Sequence, residues 1–218
     1  MLNELEKKIK IKFKNPKLLD IALTHKSYAI ENNLNEFNER MEFLGDSILS
    51  TATAVYLYLK YPNYDEGKLS KIKSSLVSRT TLQEIAKKLK LGKFVKISKS
   101  EESTGGREKE SILANTMEAV IGAIFLDAGY KKAEKFIQGL LSKQKINPSD
   151  FKSELQEVIQ SKHKTIPIYA VIDEKGPDHD KTFKIEVRIG KKQLGIGLGK
   201  SKKEAQQSAA KNAFEKMN

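Results

Sequence analysis

Cysteine is absent from this chain of 218 residues, and long apolar runs are absent as well. Without cysteine the chain can form no disulfide, no thiolate metal site and no thiol nucleophile. The longest apolar run, residues 119–126, is too short to cross a bilayer, and residues 1–8 lack the apolar segment of a signal peptide. Since a cysteine-free chain fits a reducing compartment, we expect a soluble, cytoplasmic protein with no membrane partner.

Acidic residues are outnumbered by basic ones. The chain has 40 Lys and Arg against 28 Asp and Glu, which gives a net charge of +12 and a pI near 9.5. This excess favours a polyanionic partner, with nucleic acid as the first interpretation and an anionic membrane surface as the second. Residues 151–218 carry 14 basic and 9 acidic side chains, while residues 1–150 carry 26 and 19. The shorter segment is therefore the more basic per residue.

One predicted helix concentrates its acidic side chains on one edge. At about 100° per residue, three carboxylates project within roughly 60° of one another, opposite an apolar face. The acidic edge consists of Glu39, Glu42 and Asp46. The apolar face consists of Met41, Leu44 and Ile48. A divalent cation would offset the repulsion between these acids, because hard cations bind carboxylate oxygens; a solvated acidic face is the alternative. Phe43 projects onto the same edge, where an exposed aromatic side chain indicates a partner surface.

A second helix, predicted over residues 111–130, is apolar almost all round and should be buried. Glu118 on this helix needs a compensating group, because a charged side chain is costly to bury. A metal shared with Glu42 and Asp46 would supply that compensation, so we expect this helix to pack on the first one. Residues 98–107, between the two helices, are predicted to be a flexible, mixed-charge connector.

The sequence period changes after residue 144. Everything before it has helical spacing, which predicts an all-α domain over residues 1–144, and residues 145–150 are predicted to be a linker. From residue 151 the pattern predicts a helix, three strands and a final helix, the middle strand alternating cleanly. The fold class is therefore an all-α domain followed by a small α+β domain of order α-β-β-β-α. Lysines at the start of the last helix oppose the helix dipole but suit a phosphate clamp.

Three stretches resemble the bacterial ribonuclease III family. Residues 38–46 (NERMEFLGD) are similar to its signature, and residues 113–119 (LANTMEA) to its second acidic motif. Residues 151–218 resemble its double-stranded-RNA-binding domain, so the resemblance covers essentially the whole chain. It implies a homodimer, formed through the catalytic domain, that cuts double-stranded RNA with Mg²⁺, for which Mn²⁺ could substitute. Cutting would leave 5′-phosphates, 3′-hydroxyls and short 3′ overhangs, in the processing of rRNA and other structured RNAs, with no small-molecule cofactor.

The resemblance also assigns roles to individual residues. The catalytic residues would be Asp46, Glu118, Glu42, Glu39 and Glu66, and the metal ligands would be Glu42, Asp46, Asn115 and Glu118. Phe43 would insert into the partner subunit. The RNA contacts would be Gln156, His179, Lys200, Lys202 and Lys203.

Asn115 departs from the family pattern, which usually has Asp at this position. An amide oxygen can still bind Mg²⁺ but carries no charge, so we expect weaker metal affinity. The first hypothesis remains an active, metal-dependent endonuclease, since every other signature position is intact. The second is a non-cleaving protein that binds double-stranded RNA. A third, a lipid-surface protein, is supported by net charge alone.

Overall fold

The computed structural model of the chain describes residues 2–144, 151–177 and 181–217. The chain divides into two compact units, residues 1–146 and residues 147–218, and each is described by itself below. The predicted linker, residues 145–150, lies outside the described residues, and so does His179.

Residues 2–144 form nine α-helices. In chain order they are α1 Leu2–Ile9, α2 Pro16–Ala22, α3 Lys26–Glu31, α4 Glu39–Lys60, α5 Glu66–Leu76, α6 Arg79–Lys88, α7 Lys99–Ser103, α8 Glu110–Ala128 and α9 Tyr130–Leu141. Several begin at caps that the sequence contains. Asn15, Asp65 and Ser78 each accept a hydrogen bond from a backbone N–H of the first turn of α2, α5 and α6. The prediction of an all-α first domain is confirmed.

The centre of the first unit is α8. It packs against α2, α4, α6 and α9, and eleven of its nineteen residues are buried. By length and composition α8 could also cross a membrane, but 61% of its most apolar stretch is buried inside the fold. The hydropathy of α8 is that of a core helix.

The buried stripe of α4 differs from the predicted one. Met41 is buried as expected, whereas Leu44 and Ile48 are only half-buried. The fully buried positions continue instead through Gly45 and Leu49. The contact line follows i, i+4 spacing from Met41 because α8 approaches α4 most closely at Gly45.

The prediction that residues 98–107 form a flexible connector is wrong. This segment forms α7 and a 3₁₀-helix, Gly106–Glu108. Arg107 holds it in place: its guanidinium donates to the carbonyls of Gly92 and Val95 at 2.8 and 2.7 Å, and it forms two 2.6 Å bonds to the carboxylate of Glu102. Since these partners lie up to fifteen residues away, the local composition could not show them.

Gly92 is not the residue that ends the preceding helix. Helix α6 ends at Lys88, and the left-handed residue that follows is Lys90, with φ of 55°. Gly92 lies in a 3₁₀-helix, Leu91–Lys93, where a Cβ atom would overlap the carbonyl oxygen of Arg107. The glycine is needed for this close approach rather than for a helix stop.

The second unit has the predicted order α-β-β-β-α, which is confirmed. Its elements are α10 Phe151–His163, β1 Ile168–Lys175, β2 Thr182–Ile189, β3 Lys192–Gly199 and α11 Lys202–Met217. The strands form an antiparallel sheet of order β1-β2-β3, with a tight turn at Gly190, whose φ is 53°.

The two helices of this unit share one hydrophobic core with the sheet. Leu155 and Ile159 of α10 and Ile185 and Val187 of β2 are buried there. Alanines of α11 complete the core, and Gly197 of β3 lets α11 come close, since a Cβ atom there would overlap the backbone of Ala209. The opposite face of the sheet is left more exposed, which matches the alternation of the middle strand.

Candidate active site and RNA-binding surface

The acidic residues are brought together where α4 crosses α8. A Cβ atom on Gly45 would overlap the carbonyl oxygen of Glu118, and one on Gly122 would overlap the carbonyl oxygen of Met41. Only two glycines facing each other allow this approach, because any larger side chain would push the backbones apart. The crossing therefore places Glu42 and Asp46 of α4 beside Glu118 of α8, as the sequence predicted for the two helices.

The carboxyl groups of Glu42 and Glu118 are both half-buried and both perturbed. Burial, followed by repulsion from Asp46 and Glu42, raises the pKa of Glu118 to about 7. Burial, followed by repulsion from Glu39, also raises the pKa of Glu42. On a solvated acidic face, the pKa values of these carboxyl groups would stay near their ordinary values. The cluster is instead short of positive charge.

Asn115 lies half-buried on α8, one turn before Glu118. A hydrogen bond from its side-chain amide to Glu42 favours the charged form and works against the rise in the pKa of Glu42. An aspartate here would instead add a further negative charge to the cluster. The amide therefore lowers the electrostatic cost of the cluster, which also lowers the attraction for a cation.

No group of three or more His, Asp or Glu side chains in residues 2–144, 151–177 and 181–217 is already arranged to hold a metal ion. The chemistry of the donors nevertheless fits a hard divalent cation. They are carboxylate and amide oxygens, with a partly buried, electrostatically uncompensated Glu118 at their centre.

The other predicted acids are placed differently. Glu39 opens α4 at its exposed edge and pairs with Lys26 at 3.1 Å. Glu66 begins α5 and accepts a 2.7 Å hydrogen bond from Ser70; it lines a groove with Tyr58. Tyr58 lies sixteen positions after Glu42 on α4, which is about 24 Å along the helix at 1.5 Å per residue.

Phe43 is 78% exposed, as its position on the acidic edge had suggested. It lines an open groove of about 750 Å³ together with apolar side chains of α4 itself, of α2 and α8, and of the segment before α4. These lining residues include Ile21, Phe37, Met41, Leu44 and Leu126. An exposed aromatic ring beside an apolar groove on one surface is the arrangement that a self-complementary contact needs.

Sequence reasoning missed Arg79, the first residue of α6. It is exposed, and its positive charge lowers the pKa of both Glu42 and Glu118. A signal was present: a cation in the first turn of a helix opposes the helix dipole, as the lysines of α11 do. Arg79 is thus the basic side chain that faces the acid cluster from a third helix.

The predicted RNA contacts of the second unit are exposed wherever they are described. Gln156 is exposed on α10, and Lys200, Lys202 and Lys203 are exposed at the start of α11. Ser201 caps this helix by accepting a 3.2 Å hydrogen bond from the backbone N–H of Glu204. Lys202 lies over the ring of Phe183 at 5.6 Å and 3.6 Å from Glu174, so its ammonium is held near the sheet edge.

Comparisons with known proteins match both units. The Ribonuclease-III-like family model matches residues 15–144, and the double-stranded RNA binding motif matches residues 151–217. Ribonuclease 3 of Treponema denticola is 46% identical over 223 residues, covering 99% of this chain and 91% of that protein. Ribonuclease 3 of Clostridium tetani is 46% identical over 222 residues, covering 99% and 94%.

Solved structures agree with this result. A structure of the nuclease domain of ribonuclease III from Campylobacter jejuni has a TM-score of 0.63 and 40% identity, covering 68% of this chain and 100% of that one. That work concerns structural flexibility in a region of the Campylobacter domain involved in dimer formation.

A helical domain with a carboxylate cluster, followed by a double-stranded-RNA-binding domain, defines the class of double-stranded-RNA endoribonucleases. The chain belongs to the ribonuclease III family, in which metal dependence is general. The resemblance seen in the sequence is thereby confirmed.

Proposed function

We propose that the chain hydrolyses double-stranded RNA with Mg²⁺, for which Mn²⁺ can substitute, leaving 5′-phosphates and 3′-hydroxyls with short 3′ overhangs. We assign catalysis and dimerisation to residues 1–144, a linker to residues 145–150 and RNA binding to residues 151–218. The cellular role would be the cytoplasmic processing of rRNA and other structured RNAs. The observation that carries the proposal is the meeting of Glu42 and Asp46 with Glu118 at the Gly45–Gly122 crossing.

The four polar residues of this crossing would act as ligands. Glu42, Asp46 and Glu118 offer carboxylate oxygens, and Asn115 offers an amide oxygen. Bound Mg²⁺ supplies charge stabilisation and lowers the pKa of a coordinated water. Glu118 has to lose its proton before it can bind, which its pKa of about 7 permits near neutral pH.

Arg79 would orient the substrate at this site. Its guanidinium faces Glu42 and Glu118 closely enough to lower the pKa of both, so it can hold a phosphate oxygen beside the acids. Glu39, already paired with Lys26, lies at the outer edge of the same surface. Glu66 would reach a carboxylate cluster only on a second chain.

The second unit would select RNA by shape. Gln156 of α10 and the lysines at the start of α11 present donors that suit 2′-hydroxyl and phosphate contacts, and His179 is assigned to the loop that enters the minor groove. Such domains span about 16 base pairs and recognise A-form geometry rather than sequence. Binding should therefore weaken steeply with salt.

The decisive experiment incubates end-labelled duplex RNA with the protein in the presence and absence of Mg²⁺. The proposal expects short duplex products with 5′-phosphate ends only when Mg²⁺ is present, and none with Glu118→Gln. Duplex RNA that stays intact at high protein concentration and saturating Mg²⁺ contradicts it for this chain.

Homodimerisation is the second part of the proposal. In a dimer, the exposed Phe43 ring of each copy would insert into the apolar groove beside Phe43 on the other copy. Analytical ultracentrifugation tests this, since a single species at the monomer mass at micromolar concentration would exclude it.

Asn115 motivates one alternative function, a protein that binds double-stranded RNA without cutting it. The amide carries no charge and already bonds to Glu42, which weakens the attraction for a cation. This alternative expects tight duplex binding that Mg²⁺ does not change. Any strand scission that Mg²⁺ stimulates would exclude it.

A further inference from the structure

A groove of about 480 Å³ lies between the end of α1, the end of α6 and the length of α9. Its rim carries five lysines, and its floor is apolar. The lysines are Lys8, Lys10, Lys132, Lys135 and Lys143; the floor is formed by Ile9, Ile11, Leu89, Phe136 and Leu140. No acidic side chain lines it. This groove is separate from the crossing of α4 and α8 that carries the catalytic acids.

The charge of the rim is not neutralised by the protein. Within the described residues of the chain, none of these five lysines forms an ion pair or a side-chain hydrogen bond. Glu6, an acid near this end of α1, is engaged elsewhere: it accepts the backbone N–H of Phe13 at 2.8 Å. Helix dipoles explain cations at the ends of α1 and α9, but not Lys132 in the first turn of α9.

Gly139 is the second, independent observation. It lines the groove from the middle of α9. A glycine there destabilises the helix by about 1 kcal/mol relative to alanine. Its φ is not positive, and nothing lies within 4 Å of where its Cβ atom would be, so neither strain nor close packing requires it. What the missing side chain does is keep the floor of the groove open.

We propose that this groove binds a single-stranded RNA segment that flanks the duplex being cut. The lysines would contact successive phosphates, and an unpaired base would lie on the apolar floor against Phe136. The phosphates of a duplex could contact the lysines, but its bases could not lie on the apolar floor because their faces are stacked inside the double helix. This inference rests on the proposed function only in taking RNA as the partner.

The charge of the groove indicates the kind of occupant that it suits. Residues 151–218 carry 14 basic against 9 acidic side chains, and residues 1–150 carry 26 against 19. Neither segment carries an excess of acidic side chains that would match five lysines. A polyanion is the complementary partner.

The test measures binding to the full-length protein by fluorescence anisotropy without Mg²⁺, so that no RNA is cut. The probes are a blunt duplex and the same duplex with a single-stranded extension. The groove variant is Lys132→Glu with Lys135→Glu. The control is Lys131→Glu with Lys87→Glu, which makes the same charge change on exposed residues of α9 and α6 that do not line the groove.

We expect the wild type to bind the extended duplex about tenfold more tightly than the blunt one. The groove variant should lose this difference and keep its affinity for the blunt duplex, while the control retains both. Losing two phosphate contacts should also reduce the slope of log K against log salt for the extended duplex by about 1.4.

Gly139→Leu fills the floor without changing charge. It should weaken binding of the extended duplex several-fold with an unchanged salt slope, and its melting temperature should not fall, because leucine is the better helix former. Equal losses on blunt and extended duplex, or equal losses in the control, would overturn the proposal. So would vesicles of phosphatidylcholine and phosphatidylserine that bind the wild type and not the groove variant, with RNA binding unchanged.

Failure of this inference is distinguishable from failure of the proposed function. Cleavage of the blunt duplex with Mg²⁺ reports on the catalytic acids, and the groove variant should cut it at the wild-type rate. If neither the wild type nor any variant cuts a duplex, the nuclease proposal fails. The anisotropy measurements would still decide whether the groove binds single-stranded RNA.

Discussion

Replacing Gly45 with alanine should separate the two helices that carry the acids. The added methyl group would overlap the carbonyl oxygen of Glu118 and lie 3.0 Å from the backbone nitrogen of Gly122. Neither atom belongs to a flexible side chain, so the helices themselves have to move. The change is one carbon atom at the point where α4 and α8 are closest.

The magnitude follows from two opposing effects. Overpacking a core costs about 1–3 kcal/mol, and alanine regains about 0.5–1 kcal/mol over glycine within a helix. The net destabilisation is therefore about 0–2.5 kcal/mol, which corresponds to a loss of at most roughly 10 °C in melting temperature for a chain of this size. Activity should fall much further, because a shift of about 1 Å at a reacting centre costs roughly 100-fold in rate.

The assay compares Gly45→Ala with Ile137→Val, a buried position on α9. The Ile137 variant should lose about 0.5–1.5 kcal/mol of stability by creating a small cavity, with little change in cleavage. Thermal unfolding, Mn²⁺ affinity and the rate of duplex cleavage are measured for both. The reasoning is refuted if Gly45→Ala cuts within threefold of the wild-type rate, or if its loss of activity only equals that of Ile137→Val.

Three further outcomes test the site. Asn115→Asp should bind Mn²⁺ more tightly, by about tenfold if the added charge contributes about 1.4 kcal/mol. Calorimetry measures this affinity. An unchanged affinity would show that the uncharged amide of Asn115 does not weaken metal binding. In the metal-free protein Glu118 holds its proton up to a pKa of about 7, whereas an unfolded chain releases it near 4.5. The native state thus binds more protons over this interval, and its free energy of unfolding should fall as pH rises from 4.5 to 7, by less than about 3.4 kcal/mol because solvent screens this partly exposed carboxyl. Urea titrations measure this slope, Glu118→Gln should flatten it, and a stability that rises over the same interval argues against the burial of that carboxyl. Phe43→Asp should yield monomers in sedimentation, while Tyr58→Asp, an exposed aromatic control on the same helix, tests whether any charged substitution on α4 has that effect.

Much of the fold could be predicted because its signals are local. The alternation of the middle strand, for example, depends only on residues within that strand. The same holds for the acidic edge of α4, since helical spacing alone places Glu39, Glu42 and Asp46 together. The partial failure at Leu44 and Ile48 has the same origin: the helix wheel shows which residues share a face but not where along that face another helix comes closest.

By itself, then, the sequence determined the two domains, their order, the family resemblance and which acids share an edge. Only the tertiary structure decided the crossing at Gly45 and Gly122, the folding of residues 98–107 around Arg107, the approach of Arg79 to the acids and the groove beside α9. These features join residues far apart in the chain, and their geometry depends on how closely two backbones can approach. A hydrophobic period sets what one helix buries, but the distance to its neighbour is decided by the side chains of both.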